Sequence, residues 1–316
     1  MILFALSIGC TENPTENPTE NPTENPLDPP PIVEEGSMKF VVLGDAGEGN
    51  QAQYDVANAM EQVCEQNGCD FALYLGDNFY NTGVDSVDDI QFLQKFEQPY
   101  ANLDFPFYVV LGNHDYGLGY DWEKPNPQVA YTEISEKWMM PNRYHSHKTE
   151  HAMFIGIDTN AILWNNHWGG MEEQAAWADE AIDSSNTLWK FAYGHHPYIS
   201  NGVHGVAGQY DGLENVPIAS GMDVKSFVEN HFCEKIDIYF SGHDHDLQWL
   251  EPQCGVEFIV SGAGAKQRDR YDWGVATKFE QYNINGFLWV ELIDRNLRAV
   301  FYDAQGEILY ENTLSK

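Results

Sequence analysis

The sequence is poor in basic residues and contains no long apolar run. Its 316 residues include 16 Lys and Arg against 49 Asp and Glu, which gives a formal net charge of −33 with histidine neutral. Tight binding to a nucleic-acid backbone requires clustered cations that neutralise phosphates, so we expect none here. No apolar stretch approaches the ~20 residues that span a bilayer, and the sequence therefore predicts no transmembrane helix.

Cysteine is also scarce, with five residues in the whole chain. The first, Cys10, ends a short apolar stretch of mostly aliphatic and small residues. Residues 1–10 resemble the end of a bacterial lipoprotein signal, in which the cysteine becomes the lipidated first residue of the mature protein. We therefore expect contact with a membrane only through a lipid anchor at Cys10. A plain secretion signal and a stray N-terminus are the alternatives.

A proline-rich repeat follows this segment. Thr-Glu-Asn-Pro occurs four times between Thr11 and Pro26, and three more prolines follow before residue 32. Proline at every fourth residue removes backbone donors and breaks helices, and nothing apolar recurs that could pack. Residues 11–37 are thus predicted to be a disordered, extended tether of roughly 3 Å per residue. The remaining 38–316 form the predicted catalytic domain, which keeps 42 acidic against 16 basic residues.

The four cysteines beyond Cys10 are an even number, which in an exported protein suggests two disulfides. Cys64 and Cys69 bracket a turn-like sequence at a predicted helix end, and Cys233 and Cys254 flank a predicted strand and its loop. We predict the pairs Cys64–Cys69 and Cys233–Cys254. The spacings do not match a zinc ribbon, which disfavours a cysteine-based metal site.

Hydrophobic residues make up 43% of the chain, enough for a large packed core. From residue 38, short apolar runs alternate with helical stretches, as is typical of βα units, and after residue 256 strands follow one another directly. The predicted strands are 39–43, 71–75, 107–111, 152–157, 188–193, 236–240, 256–260, 286–292, 298–302 and 308–312. The predicted helices are 51–66, 88–101, 171–183 and 224–233.

Five of these strands end at a glycine that is followed by a potential metal ligand. The five polar residues are Asp45, Asp77, Asn113, His195 and His243. The last junction continues as His-Asp-His and adds His245, which can face the same side as His243 in an extended segment. Open α/β sheets place their sites outside the carboxyl ends of strands, so these side chains should converge. One Gly-Asp pair is common turn chemistry, but five such junctions in one chain predict a metal site.

Longer blocks around these junctions resemble those of the calcineurin-like metallophosphoesterases. Gly76-Asp77-Asn78-Phe79-Tyr80 with Thr82-Gly83-Val84, and Gly-His-Asp-His-Asp-Leu-Gln-Trp-Leu at 242–250, are similar to blocks of the purple acid phosphatases, most closely the small tartrate-resistant type. Ser-Gly-Ala-Gly at 261–264 and Gly-Phe at 286–287 also fit. The resemblance covers 38–314. It implies an α/β metallophosphoesterase fold with two mixed β-sheets packed as a sandwich and flanked by helices, in α/β/β/α layers.

The resemblance also implies a centre of two metal ions bridged by Asp77. The first ion, expected to be Fe(III), takes three further ligands: Asp45, Tyr80 and His245. The second, expected to be Fe(II), Zn(II) or Mn(II), takes three others: Asn113, His195 and His243. This division agrees with ligand chemistry, because carboxylate and phenolate oxygens suit a trivalent cation and imidazole suits a borderline divalent one. His114 and His204 are the implied catalytic residues, which bind substrate and protonate the leaving group. The resemblance does not decide which of the two donates the proton.

The implied function is hydrolysis of phosphate monoesters through this bimetal centre and a metal-bound hydroxide. A phosphodiesterase or nucleotidase on the same fold is the first alternative, since the fold does not fix the substrate. A surface-tethered binding protein without catalysis is the remote one. We expect small phosphorylated substrates, a monomer, and a periplasmic or cell-surface lipoprotein, or otherwise a secreted protein.

Two further clusters of ionisable residues are not assigned to the metal site. His145, His147 and His151 are expected on a strand at the surface, without a metal role. Lys266, Arg268 and Arg270 form the only basic cluster of the sequence. A solvated loop is the favoured interpretation of that cluster, and contact with a substrate phosphate is its alternative.

Overall fold

The computed structural model describes residues 36–117, 121–164, 170–216 and 219–316. The predicted signal segment at 1–10 and the tether as far as residue 35 lie outside the described residues. Ser37, which the sequence analysis assigned to the tether, is already the first residue of a strand. Within the described ranges, no helix is both long enough and apolar enough to cross a bilayer.

Two seven-stranded mixed sheets form the centre of the domain. The strands are β1 Ser37–Leu43, β2 Phe71–Tyr74, β3 Phe107–Val109, β4 Trp138–Met139, β5 His145–Lys148, β6 Ala152–Gly156, β7 Trp189–Tyr193, β8 Ile238–Ser241, β9 Leu247–Leu250, β10 Glu257–Ser261, β11 Thr277–Gln281, β12 Gly286–Ile293, β13 Asn296–Asp303 and β14 Ile308–Ser315. The first sheet has the order β14-β13-β12-β1-β2-β3-β4, and the second has the order β11-β9-β10-β8-β7-β6-β5. Parallel pairing joins β1 through β4 in the first sheet and β6, β7, β8 and β10 in the second.

Six helices flank the sheets in the described ranges. They are α1 Gln51–Asn67, α2 Ile90–Phe92 with its π-helical continuation Leu93–Glu97, α3 Asn126–Tyr131, α4 Thr159–Leu163, α5 Met171–Ser184, and α6 Met222–Phe227 with its π-helical continuation Val228–Phe232. The helix predicted over 88–101 is thus shorter than expected, and the sequence analysis missed α3 and α4. The N-cap of α1 is Asn50, whose side chain accepts a hydrogen bond from the amide of Gln53 at 2.9 Å.

The alternation of side chains along β1 shows how the layers pack. Phe40 and Val42 point into an apolar core between the two sheets, where the ring of Phe40 meets Phe154 of β6 at 5.4 Å. Val41 and Leu43 point the other way, into a second core that includes Met60 of α1. A third core lies between the second sheet and the helices α4, α5 and α6. The architecture is therefore α/β/β/α, as the sequence predicts.

Both predicted disulfides are present. Cys64 pairs with Cys69 and closes the end of α1 against the segment that leads into β2. Cys233 pairs with Cys254 and links the end of α6 to the segment before β10. The first bridge closes a short loop, and the second closes a longer one that contains β8 and β9. Such loop closure restricts the unfolded chain.

Candidate metal centre

The strand ends of both sheets meet at one rim because the signature glycines allow backbones and side chains to approach closely. A Cβ atom on Gly112 would lie 2.2 Å from a carboxylate oxygen of Asp77, and one on Gly242 would lie 2.5 Å from a carboxylate oxygen of Asp45. The amide of His243 in turn donates to Asp45 at 2.8 Å. Any larger residue at either glycine would displace a carboxylate of the site.

The four predicted ligands of the first metal surround one point. The Tyr80 hydroxyl donates to Asp45 Oδ1 at 3.0 Å and lies 3.2 Å from His245 Nε2. Potential ligand atoms of Asp45, Asp77 and His245 lie within 4.8 Å of one another, and all three residues are buried. The four side chains therefore offer three oxygens and one imidazole nitrogen at a single location.

The three predicted ligands of the second metal form the neighbouring group. His195 Nε2 lies 3.0 Å from Asn113 Oδ1, 3.0 Å from His243 Nδ1 and 3.5 Å from Asp77 Oδ1. His195 Nδ1 lies 2.9 Å from the Leu75 carbonyl oxygen, an orientation that suits the neutral tautomer with its proton on Nδ1 and leaves Nε2 available to bind a metal. Asp77 thus lies beside both groups, as a bridging ligand requires.

The chemistry of these donors fits metal ions. In the neutral tautomer that carries its proton on Nδ1, His195 Nε2 faces the Asn113 and Asp77 oxygens as a further acceptor. Buried acceptors that face one another are unfavourable unless a cation lies between them. The hydrogen bond from His195 Nδ1 to a backbone carbonyl fixes the ring orientation, which is a typical support for a metal-binding histidine.

Burial sets the electrostatics of the oxygen ligands. It raises the pKa of Asp45 to about 7, with the nearby Asp77 adding to the effect and His195 opposing it. Burial also raises the pKa of Tyr80, and the charges of Asp45 and Asp77 raise it further. Burial opposes ionisation of Asp77 as well, but the neighbouring His195 and His114 hold its pKa below the usual value. A bound cation would favour the ionised form of all three groups.

His114 and His204 lie on either side of these groups. His114 packs its ring 4.5 Å from the ring of Tyr80, and its Nδ1 lies 2.8 Å from the Asn81 carbonyl oxygen. His204 stacks on the ring of His243 at 4.0 Å. Both rings therefore border the predicted ligands, where the sequence analysis placed the catalytic residues.

Two carboxylates favour the protonated form of His204. Its Nδ1 lies 2.8 Å from Asp211 Oδ1. Burial works against the charged ring, but the hydrogen bond to Asp211 and the charge of Asp244 raise the pKa of His204 overall. A cavity of about 230 Å³ opens beside the ring, and its lining includes Asn113, His196 and Tyr210. The protonated form of the His204 ring is therefore favoured at the wall of that cavity.

Sequence reasoning missed several residues that support the site. Asp115 and Asp244 occur inside the signature blocks, which is the signal that could have identified them. Lys95 donates from Nζ to the Tyr80 carbonyl, and no sequence pattern points to it. Asp211, which contacts His204, lies seven residues further along the same connection between β7 and α6, and its position also carries no local signal.

The basic cluster is divided by the fold. Lys266 places Nζ 3.9 Å from the ring centroid of Tyr80, and Arg268 Nε lies 3.2 Å from His245 Nδ1. Arg270 instead pairs with Asp272 and Glu280 at the surface. The solvated-loop interpretation therefore fits Arg270, whereas Lys266 and Arg268 lie beside the predicted ligands.

The strand expected at His145 and His147 exists as the edge strand β5, with Ser146 and Lys148 exposed, but the two histidines point inward. His145 is buried, with Nε2 2.8 Å from the Val109 carbonyl oxygen. The ring of His147 stacks between Tyr108 at 3.6 Å and Phe154 at 4.5 Å. Aromatic packing across the two sheets draws this polar strand inward.

Comparisons with known proteins identify the same family as the signature blocks. The sequence profile described as calcineurin-like phosphoesterase matches residues 38–247. Purple acid phosphatase 4 of Arabidopsis thaliana is 29% identical over 304 residues, covering 89% of this chain and 85% of the relative. Tartrate-resistant acid phosphatase type 5 of Sus scrofa is 26% identical over 315 residues, covering 88% and 87%.

Solved structures agree on the fold. GAP50, described as the anchor in the inner membrane complex of Plasmodium, superposes with a TM-score of 0.72 at 21% identity, and 89% of each chain is covered. The profile match spans most of the chain, and the similarity to acid phosphatases extends over nearly all of it. The chain therefore belongs to the calcineurin-like phosphoesterase family, and it is an acid phosphatase-like metallophosphoesterase.

Proposed function

We propose that this protein hydrolyses small phosphate monoesters at a centre of two metal ions, one Fe(III) and one divalent ion of iron, zinc or manganese. The observation that carries the proposal is the convergence of seven donor side chains, six of which surround the shared Asp77. Asp77, Asp45, Tyr80 and His245 would hold the trivalent ion. Asp77, Asn113, His195 and His243 would hold the divalent one. When bound, the pair supplies positive charge and an activated water for attack on phosphorus.

The local charge explains how an acidic protein can bind an acidic substrate. Asp45, Asp77 and ionised Tyr80 bring three negative charges, whereas a trivalent and a divalent ion bring five positive ones. The excess is positive at the one place where a phosphate must bind, although the domain as a whole is strongly acidic. Short-range attraction at the centre therefore outweighs the distant surface charge, which salt screens.

The two flanking histidines supply binding and proton transfer. His114, beside Tyr80, would donate a hydrogen bond to a phosphoryl oxygen. His204, whose pKa is raised, would give its proton to the leaving oxygen as the bond from that oxygen to phosphorus breaks. The oxygen of water forms the new bond to phosphorus, and the proton that this water releases balances the one that His204 gives up, so phosphate and a free alcohol are the net products.

The substrate class is tested with a monoester and a diester that release the same leaving group. The monoester is 4-nitrophenyl phosphate, and the diester is methyl 4-nitrophenyl phosphate. We expect the metal-loaded protein to show a kcat/KM at least about ten times higher for the monoester. A higher value for the diester would support the phosphodiesterase alternative. If a folded protein that holds two metals hydrolyses neither ester, the non-catalytic alternative is correct, for which the likeness of fold to the anchor protein GAP50 is the supporting observation.

We also propose that the protein is exported and attached to a membrane by a lipid at Cys10. The two disulfides support an oxidising compartment. Fractionation of the native host tests the anchor. The wild-type protein should sediment with membranes, and Cys10→Ser should release it into the soluble fraction. An unchanged distribution of the Cys10→Ser protein would contradict lipid attachment.

A further inference from the structure

The loop between β10 and β11 wraps over the loop that carries His204. The amide of Tyr271 donates to the Asn201 carbonyl at 3.1 Å. The Asn201 side chain donates to the Val275 carbonyl at 2.8 Å and accepts from the Val275 amide at 3.0 Å. Trp273 Nε1 donates to the Gly202 carbonyl at 2.8 Å. Four hydrogen bonds thus join the loop between β10 and β11 to Asn201 and Gly202, which begin the turn before His204.

The ring of Trp273 also occupies the space next to Gly205. This glycine has a φ of +81°, and a Cβ atom on it would lie 2.2 Å from Trp273 Cε2. The indole therefore lies directly on the backbone of the residue after His204. Only glycine allows both this conformation and this close approach.

On its inner side the same turn rests on Asp244. The Asp244 carboxylate accepts from the His204 amide at 2.8 Å and from the Gly205 amide at 3.4 Å. A Cβ atom on Gly202 would lie 2.2 Å from Asp244 Cγ. The backbone that carries His204 is thus enclosed between the Asp244 carboxylate and the Trp273 indole.

We propose that Trp273 is a positioning residue that holds the His204 ring where it can protonate the leaving oxygen. The proposal rests on the proposed function, in which His204 is the proton donor. Trp273 itself touches neither the predicted ligands nor the 230 Å³ cavity in the contacts of the described residues. It acts through the Gly202 carbonyl and the Gly205 backbone, so its loss should move the donor without removing it.

The test compares two monoesters that differ in their need for a proton. Trp273→Ala should lower kcat/KM for an alkyl phosphate, a poor leaving group, by roughly 10- to 100-fold, because a displaced acid transfers its proton less effectively. The same change should alter kcat/KM for 4-nitrophenyl phosphate by less than about threefold. Trp273→Phe retains a ring against Gly205 but loses the indole donor, and we expect an intermediate loss on the alkyl ester.

A double variant separates positioning from general structural damage. In a His204→Ala background, Trp273→Ala should cause no further loss on the alkyl ester, since the group that it positions is gone. Tyr271→Phe is the control, because this ring is 53% exposed and lies 5.1 Å from the Trp273 ring. It should leave both rates unchanged.

Three results would overturn the positioning role while the wild-type protein remains an active phosphatase. They are equal losses on the two esters, an undiminished rate in both Trp273 variants, and a further loss in the His204→Ala background. A wild-type protein that hydrolyses neither ester overturns the proposed function, and the role of Trp273 with it. Trp273→Phe keeps the test decisive if Trp273→Ala fails to fold.

Discussion

The amide of Asn78 lies 3.1 Å from each carboxylate oxygen of Asp115. The same carboxylate accepts from the amide of Phe79 at 3.1 Å and from the amide of Gly112 at 2.8 Å. Asp115 therefore joins the loop after β2, which carries Asp77 and Tyr80, to the loop after β3, which carries Asn113. One buried carboxylate holds together the backbone from which both groups of predicted ligands extend.

This relationship predicts a large effect for a nearly isosteric change. Asp115→Asn replaces an acceptor oxygen by an NH2 group that faces backbone donors, so at least one buried donor loses its partner. We expect the free energy of unfolding to fall by about 2–4 kcal/mol and the bound metal per chain to decrease. Urea unfolding and elemental analysis measure the two quantities.

The control for that change is Asp85→Asn. The Asp85 side chain is 87% exposed and pairs only with Lys124 at the surface in the contacts of the described residues. A surface pair of this kind contributes about 0–1 kcal/mol. If Asp115→Asn is no more destabilising than Asp85→Asn, Asp115 does not hold the two loops together.

The Tyr80 hydroxyl, 3.0 Å from Asp45, should determine the colour of the protein. Tyrosinate bound to Fe(III) absorbs visible light, so the iron-loaded, oxidised protein should be pink to purple. Tyr80→Phe should lose the visible band, and Tyr271→Phe should keep it. Absorption spectra of protein with verified iron content provide the measurement. An unchanged band in Tyr80→Phe would show that Tyr80 is not the chromophore.

His204→Ala should slow hydrolysis most for substrates with poor leaving groups, because these depend most on protonation of the leaving oxygen. We expect turnover to fall by roughly 10²–10⁴-fold for alkyl phosphates and much less for 4-nitrophenyl phosphate. A series of phenyl phosphates with different substituents gives the dependence of rate on leaving-group pKa, which should become steeper in the variant. Parallel plots for variant and wild type would argue against an acid role.

His147 should make the fold sensitive to acid. Its ring lies between Tyr108 and Phe154, with Phe71 at its edge, and among the described residues the charge of His145 is the one that alters its pKa. Burial lowers the pKa of His147 to about 3 from the ordinary 6.5, and the charge of His145 lowers it further. As the pH falls below 6.5, His147 is protonated in the unfolded chain but stays neutral in the folded protein. The free energy of unfolding is therefore highest above pH 6.5 and decreases as the pH falls toward 3.

His147→Phe keeps the aromatic stack and removes this titration. Relative to wild type, the variant should gain about 2 kcal/mol in free energy of unfolding between pH 7 and pH 5. Urea unfolding at pH 5, 6, 7 and 8 measures the difference. At pH 8 the His147 ring is neutral in both the folded and the unfolded protein. The difference in free energy of unfolding between variant and wild type should therefore agree within error at pH 7 and pH 8. A difference between variant and wild type that does not change with pH would contradict the account.

The features that the sequence predicts well are those encoded locally. The Gly-Asp and Gly-His junctions identify both the strand ends and the polar residues that follow, because one short block carries the turn and the side chain. The end of α1 and its bridge Cys64–Cys69 are local in the same sense. The α/β/β/α layers were predicted by resemblance to the family, and the packing of β1 shows why that arrangement buries both of its faces.

The features that the sequence did not predict depend on partners that are distant along the chain. The strand β11 exists because it pairs with β9, and its own five residues lie half-buried without a clear apolar alternation. The inward position of His147 comes from rings on two other strands. Asp211 lies between β7 and α6, Trp273 lies between β10 and β11, and Lys95 lies in the π-helical continuation of α2. None of the three belongs to a signature block, so no block points to their contacts.

The central claim is that two metal ions held around Asp77 carry out the hydrolysis. Measuring the number of metal ions per chain together with the rate of hydrolysis tests it most directly. The full-length protein, purified from its native host, should contain two metal ions per chain, including iron, and should hydrolyse 4-nitrophenyl phosphate. Asp77→Asn, which changes the predicted bridging ligand, should retain one ion or none and lose turnover in parallel, while circular dichroism shows an unchanged fold. A folded wild-type protein that binds no metal pair, or an Asp77→Asn protein that keeps both ions and full activity, would contradict the account.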